Sequence, residues 1–262
     1  MPESPAPRFG AWITLDSSVM AEQVARLGFD FVVVDGQHGM LGYSELRDAL
    51  IAVTAGGCPL PVARVSRNDP GEIGRVLDAG ARGVIIPMVD SGEEARAAAH
   101  ASRYATSGGR RSYSPVRHGE HFGRAPGSTD ANVLVLPMIE TREGLAALDE
   151  ILDTPGIDGV FVGPYDLSLA LGADMPFEEG IRSELEQALA QIREAARQRG
   201  KIAGIYCGTG EAAAQRAREG FTLVNTCHDM SAVREVMGGQ LAHVAAQGLC
   251  VAERLAEEMR EH

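Results

Sequence analysis

Four polar side chains stand where four apolar runs stop. FVVV gives way to Asp35-Gly36-Gln37-His38, LPVARV carries Arg64 near its end, VLVLPMIE closes on Glu140, and GVFVGPYD reaches Asp166 four residues past its apolar part. Histidine titrates near neutrality and can act as a base. Two carboxylates can share a hard divalent cation, Mg2+ or Mn2+ with Co2+ also accepted, whose use would be to polarise a chelating substrate. Arginine can stabilise negative charge where it develops.

Each residue also has a plainer reading. His38 suits a loop or a cap, Arg64 and Glu140 could form a structural ion pair, and Glu140 and Asp166 could cap the helical segments that follow them. Asp78, in VLDAGARG, reads by itself as a helix-end residue. What favours chemistry is convergence: a parallel barrel gathers the C-terminal ends of its strands at one mouth, and four such residues end four runs.

The elements that must position them alternate along the chain. Short apolar runs fall at 9–15, 29–34, 60–65, 83–89, 133–139, 158–162, 202–207 and 222–226. They lack clean alternation, as parallel strands covered on both faces do. Helical patterns lie between them, at 17–27, 44–53, 69–79, 91–104, 141–152, 177–199 and 210–218. Asp69 before Pro70 reads as an N-cap, and Ser91 with Glu94 as a capping box. Eight such units in 262 residues predict a single α/β domain over 1–262, a (β/α)8 TIM barrel. Residues 105–130 read as a long loop near the active-site mouth, with Arg110, Arg111, His118 and His121 as candidates for an acceptor pocket or lid. From about 231 to 262 a helical extension follows, which Gly238 and Gly239 could divide from the last barrel helix.

A formal net charge of −12, from 36 acidic and 24 basic residues, argues against nucleic acid or an anionic membrane as partner. No apolar run approaches the roughly 18 residues of a membrane span. The start has no signal-peptide pattern, and Cys58, Cys207, Cys227 and Cys250 are scattered, so a cytoplasmic protein with reduced thiols is expected. The sole lysine, Lys201, precedes the seventh run, at the wrong end for the mouth. A Schiff-base aldolase is therefore excluded.

Several segments resemble the HpcH/HpaI aldolase/citrate lyase family, in particular its metal-dependent class II pyruvate aldolases. They are FGAWITLDSS, GFDFVVVDGQHG, ARVSRNDPGEIGRVLDAGARGVIIPMV, IETREGL and GIDGVFVGPYDLSLALG. The resemblance implies a barrel of the pyruvate/phosphoenolpyruvate type that cleaves or forms 4-hydroxy-2-oxo acids, giving pyruvate or a related 2-oxo acid plus an aldehyde. It places the divalent cation on Glu140 and Asp166, the base on His38, and an enolate-stabilising role on Arg64. Asp78 would raise the basicity of His38. The backbone over Gly163, Pro164, Tyr165 and Asp166 would hold the oxo acid's carboxylate, with Tyr165 and Asp166 as donors because Pro164 has no N–H. It further implies a homo-oligomer, a hexamer built as a trimer of dimers that exchange a C-terminal helix.

The sequence departs from the family pattern at Gln37, where glutamate is usual, and at Met138, a substrate-side position where glutamine is common. His228, at the end of the eighth run, could reach the aldehyde side. Two alternatives remain open. A CoA-thioester lyase of the malyl- or citramalyl-CoA type would share the enolate chemistry but want a basic surface. A non-catalytic barrel that binds an oxo acid would explain Gln37 and Met138, against the four intact residues His38, Arg64, Glu140 and Asp166.

Overall fold

In the computed structural model, which describes residues 6–248, eight parallel strands close into one barrel in chain order. They are β1 (Arg8–Ile13), β2 (Phe31–Asp35), β3 (Pro61–Arg64), β4 (Gly83–Ile86), β5 (Leu134–Ile139), β6 (Gly159–Val162), β7 (Ile202–Ile205) and β8 (Leu223–His228), with β8 returning to β1. Most positions of the strands are apolar because both of their faces are covered. Phe31, Val33, Val62, Leu136 and Phe161 fill the interior, while Val32, Val34, Ala63 and Val84 pack outward beneath the helices. Gly204 leaves room for the Phe161 ring, since a Cβ there would lie 2.4 Å from it.

The helices are α1 (Ser18–Ala25), α2 (Tyr43–Ala55), α3 (Pro70–Asp78), α4 (Gly92–Ser102), α5 (His118–Phe122), α6 (Pro126–Ala131), α7 (Arg142–Ala146), α8 (Leu148–Asp153), α9 (Pro164–Ala170), α10 (Arg182–Gln198), α11 (Gly210–Glu219) and α12 (Asp229–Ala246). Asp69 caps α3 by accepting from the Glu72 N–H at 2.9 Å. Ser91 caps α4, accepting from the Glu94 N–H at 3.2 Å, but the box is not reciprocal: Glu94 accepts from Asp90 rather than from Ser91.

Two expectations are corrected. Residues 105–130 are not near the mouth. They join α4 to β5, and a segment that leads into a strand lies at the N-terminal face. There the Arg117 N–H bonds to the Asp78 carbonyl, and Arg103 bonds to the carbonyls of Asp130 and Val133 just before β5. The segment is also largely structured, carrying α5 and α6. Secondly, Gly238 and Gly239 do not divide the C-terminal segment, because α12 runs through both. A glycine costs a helix only about 1 kcal/mol. Asp229 is the one buried residue of α12; Val236, Met237, Leu241 and Val244 form an uncovered apolar stripe. Part of the predicted extension, residues 249–262 with Cys250, lies outside the described residues. Among the described residues, no helix is long and apolar enough to cross a membrane.

Candidate active site

The C-terminal ends of the strands surround a cavity of about 470 Å³. β2 and β3 contribute one wall. Asp35 and Arg64 are register partners on these strands, and the guanidinium grips the carboxylate at two points. Asp35 also accepts from Trp12 Nε1 at 3.0 Å and from the Gln37 N–H at 3.0 Å. Burial alone would raise the Asp35 carboxyl. Arg64, helped by Trp12 and Gln37, outweighs it and holds the group below the usual carboxylate range. Both residues are buried, and the Arg64 guanidinium stacks over Trp12 at 5.1 Å. With Nε and Nη2 committed, Nη1 is the nitrogen left for a ligand.

β5 and β6 contribute the acidic wall. Glu140 is buried and makes no ion pair among the described residues; its one hydrogen-bond donor is the Met88 N–H at 2.8 Å. Burial pushes its carboxyl up to about 7; the Met88 N–H opposes this and the charge of Asp166 adds to it. Met88 presents that N–H from a left-handed conformation, φ 52°, just beyond β4. Such strain in a non-glycine residue collects at functional sites. Gly163, between β6 and α9, leaves space for the acid: a Cβ there would lie 2.6 Å from Glu140 Oε2.

This acidic wall fits a hard cation. A carboxylate buried beside a second carboxylate is costly unless a positive charge joins them, and the charge of Arg64 only partly offsets the burial of Glu140. Among the described residues no group of three or more histidine, cysteine or acidic side chains could hold a metal, so the protein's share would be two carboxylates. Hard cations that retain water and substrate oxygens accept such sparse protein ligation.

The first turn of α9 places Gly163, Pro164, Tyr165 and Asp166 along the cavity, with Met138 of β5 beside them. His38, just past β2, faces the same space from an exposed position. Arg64, Met138, His38 and the 163–166 turn thus meet at one cavity, and Glu140 adjoins it through Gly163 and Asp166. Tyr206, next after β7, also lines it; burial and neighbouring Tyr165 push its phenol up to about 12, so it remains a donor.

Asp78 is the exception. α3 starts beyond the mouth end of β3 and runs back, so its last residue reaches the opposite face. There Asp78 accepts from Arg111 Nη2 at 2.6 Å, while burial raises its carboxyl and Arg111 partly offsets that. The expected contact with His38 is absent within this chain. Arg111 and His118 are buried at the same far face, His118 with its Nδ1 at 3.3 Å from the Ala81 carbonyl. Lys201 donates to the Leu152 carbonyl, outside the cavity.

Asp35, Trp12, Thr14 and Tyr206 line the cavity as well, beyond the site residues expected from the sequence. A signal for Asp35 was present: it and Arg64 each close their strand, so neighbouring parallel strands set them side by side. Thr14 and Tyr206 carried no such signal, since each reads as the edge of an apolar run.

A family model described as HpcH/HpaI aldolase/citrate lyase matches residues 8–235. A hydroxypyruvate/pyruvate aldolase from Rhizorhabdus wittichii is 41% identical over 226 residues, 86% of this chain and 89% of that protein. A 4-hydroxy-2-oxo-heptane-1,7-dioate aldolase from Shigella sonnei is 35% identical over 249 residues, 94% of this chain and 93% of that protein. Among solved structures, an HpcH/HpaI aldolase/citrate lyase family protein from Burkholderia cenocepacia superposes with a TM-score of 0.82 at 29% identity, covering 92% of this chain and 95% of that one.

Proposed function

The chain belongs to the HpcH/HpaI aldolase/citrate lyase family, and from that premise we propose that it makes and breaks the C3–C4 bond of 4-hydroxy-2-oxo acids, with pyruvate or a related 2-oxo acid and an aldehyde as the other side of the reaction. It is a carbon–carbon lyase of the aldolase type. The observation that carries the mechanistic reading is the buried, uncompensated Glu140 beside Asp166, across one cavity from the Asp35–Arg64 pair.

Glu140 and Asp166 are the residues that would hold a divalent cation, Mg2+, Mn2+ or Co2+. When bound, such an ion supplies Lewis acidity toward the carboxylate and keto oxygens of the 2-oxo acid. The N–H groups of Tyr165 and Asp166 open α9, where a helix leaves them without intrahelical acceptors, and they take the acid's carboxylate. Met138 packs alongside. Arg64 Nη1 faces the oxygen that turns negative, and Asp35 keeps the guanidinium from swinging away.

In cleavage His38, directly or through a water, takes the proton from the 4-hydroxyl. The C3–C4 bond then breaks, the C4 oxygen becomes the aldehyde carbonyl, and the bonding pair stays with the pyruvate enolate. His38, directly or through the same water, then returns a proton to C3 and completes the product. In addition the sequence reverses, and no other reactant is needed. Asp78 takes no step within its own chain.

The partners are small molecules, a 2-oxo acid and an aldehyde. The uncovered apolar stripe of α12 supports a homo-oligomer, a hexamer built from dimers that exchange this helix. The test is cleavage of 4-hydroxy-2-oxopentanoate, followed by pyruvate release, in chelated protein and after restoring each ion. Pyruvate release that requires the ion and fails in Glu140→Gln supports the reading; release unaffected by chelation overturns the metal assignment.

A further inference from the structure

The aldehyde end of the cavity has a chemical character of its own. Toward β1, β6 and β7 its wall is aromatic: Trp12 meets Tyr206 edge to face at 5.3 Å, and Tyr206 meets Tyr165 at 5.8 Å. Phe177 backs Tyr165 at 4.6 Å, held there by a left-handed backbone, φ 63°, and by its N–H to Ser168 Oγ at 3.2 Å. Met40 and Met230 complete the rim. A strained aromatic residue behind Tyr165 fixes that ring as a rigid surface.

Apart from Arg64, no arginine or lysine among the described residues lines the cavity to receive a second negative charge. Arg64, His38 and His228 are the basic side chains lining the cavity among the described residues. Arg64 is committed to Asp35, and its free nitrogen serves the oxo acid. His228 is committed as well. Thr14 Oγ1 donates to Asp229 Oδ1 at 2.8 Å, so it must accept from His228 Nε2 at 3.1 Å. His228 Nδ1 in turn accepts from the Ser231 N–H at 3.3 Å, capping α12. With one nitrogen donating and the other accepting, the ring has no free N–H for a ligand. A carboxylate on the aldehyde would lose its hydration against methionine and aromatic carbon, with no arginine or lysine beside these residues among the described ones to replace it.

We propose, resting on the aldolase reading above, that the acceptor is an uncharged aldehyde with an apolar, preferentially aromatic, substituent seated against Tyr165 and Tyr206, and that aldehydes carrying a second carboxylate are rejected. This sets the chain apart from its Shigella sonnei relative, whose name specifies a heptane-1,7-dioate, a compound with a carboxylate at each end.

The test uses the full-length protein with pyruvate, added Mn2+ and two size-matched pairs: 4-isopropylbenzaldehyde against 4-carboxybenzaldehyde, and 4-methylpentanal against succinic semialdehyde. The neutral member of each pair is expected to have a kcat/KM at least about tenfold higher. Equal or better use of the carboxylated members overturns the proposal. Deuterium exchange at the pyruvate methyl group, run in parallel, separates the two failures. Exchange with the wrong aldehyde preference sinks the acceptor assignment alone, whereas no exchange sinks the aldolase reading with it. Met230→Arg supplies a cation at the rim and is expected to narrow both ratios through a lower KM for the carboxylated aldehydes. Unchanged ratios in that variant would contradict the placement of the aldehyde's far end.

Discussion

Arg64 and Asp35 close neighbouring strands and meet at two points, Nε to Oδ1 at 2.8 Å and Nη2 to Oδ2 at 2.5 Å, with both residues buried. The contact fixes the plane of the guanidinium and leaves one nitrogen free. Asp35→Asn keeps the shape and removes the charge. It is expected to lower kcat by about a hundredfold, a magnitude typical of disturbing an oxyanion donor. It should also destabilise the fold by about 3 kcal/mol, because the Arg64 charge is left buried and unpaired. Steady-state kinetics and urea unfolding on the same preparation check both. An intact kcat would show that Asp35 does not position Arg64 for chemistry.

Gly163 is glycine because of Glu140, not because of its backbone, whose φ of −95° any residue adopts. Gly163→Ala would drive a methyl group to 2.6 Å from Glu140 Oε2. The acid must turn away, and Mn2+ affinity should fall by about ten- to a hundredfold with little change in far-UV circular dichroism. Titration of Mn2+ by electron paramagnetic resonance reads this directly. Wild-type affinity in the variant would remove Glu140 from the metal site.

His118 makes acid sensitivity measurable. It is fully buried, and burial, reinforced by the charge of Arg111, lowers it from the usual 6.5 to about 4. Between those values the unfolded chain binds a proton that the folded chain refuses, so stability falls as pH drops from 6.5 toward 4. The full loss from this residue is about 3 kcal/mol, complete once pH is below about 4. Urea unfolding at several pH values should show a shallower decline in His118→Phe than in wild type over that window. Parallel curves would contradict the assignment.

The C-terminal helix lines the cavity at one end and carries exposed apolar residues along the rest. Its first turn supplies Met230 and Ser231 to the cavity wall, while its later turns carry the uncovered stripe. Met237→Glu combined with Leu241→Glu should produce smaller species in sedimentation velocity. Unchanged sedimentation would mean that this stripe is not an interface.

The barrel was legible because its eight runs are covered on both faces and therefore read as uninterrupted apolar segments. The mouth was legible for the same reason: His38, Arg64, Glu140 and Asp166 interrupt that apolarity at strand ends. What escaped depends on chain direction and on distance in space. The arginines and histidines of 105–130 look functional by composition, yet a segment leading from a helix into a strand must lie at the other face. Asp78 follows the same logic, one helix after β3. Pattern also missed the break at Ala147 that divides 141–152 into α7 and α8, because no glycine or proline marks it. Thr14 matters only because β8 returns to β1 and brings His228 and Asp229 to it from the far end of the chain.

The central claim is that this mouth makes an enolate of pyruvate. Exchange of the pyruvate methyl protons in D2O, followed by NMR, tests it without knowledge of the aldehyde. Exchange that disappears on chelation, returns with Mg2+, Mn2+ or Co2+, and is lost in both Glu140→Gln and His38→Ala is the predicted result. Exchange that survives chelation, or that persists in Glu140→Gln at the wild-type rate, would contradict the account.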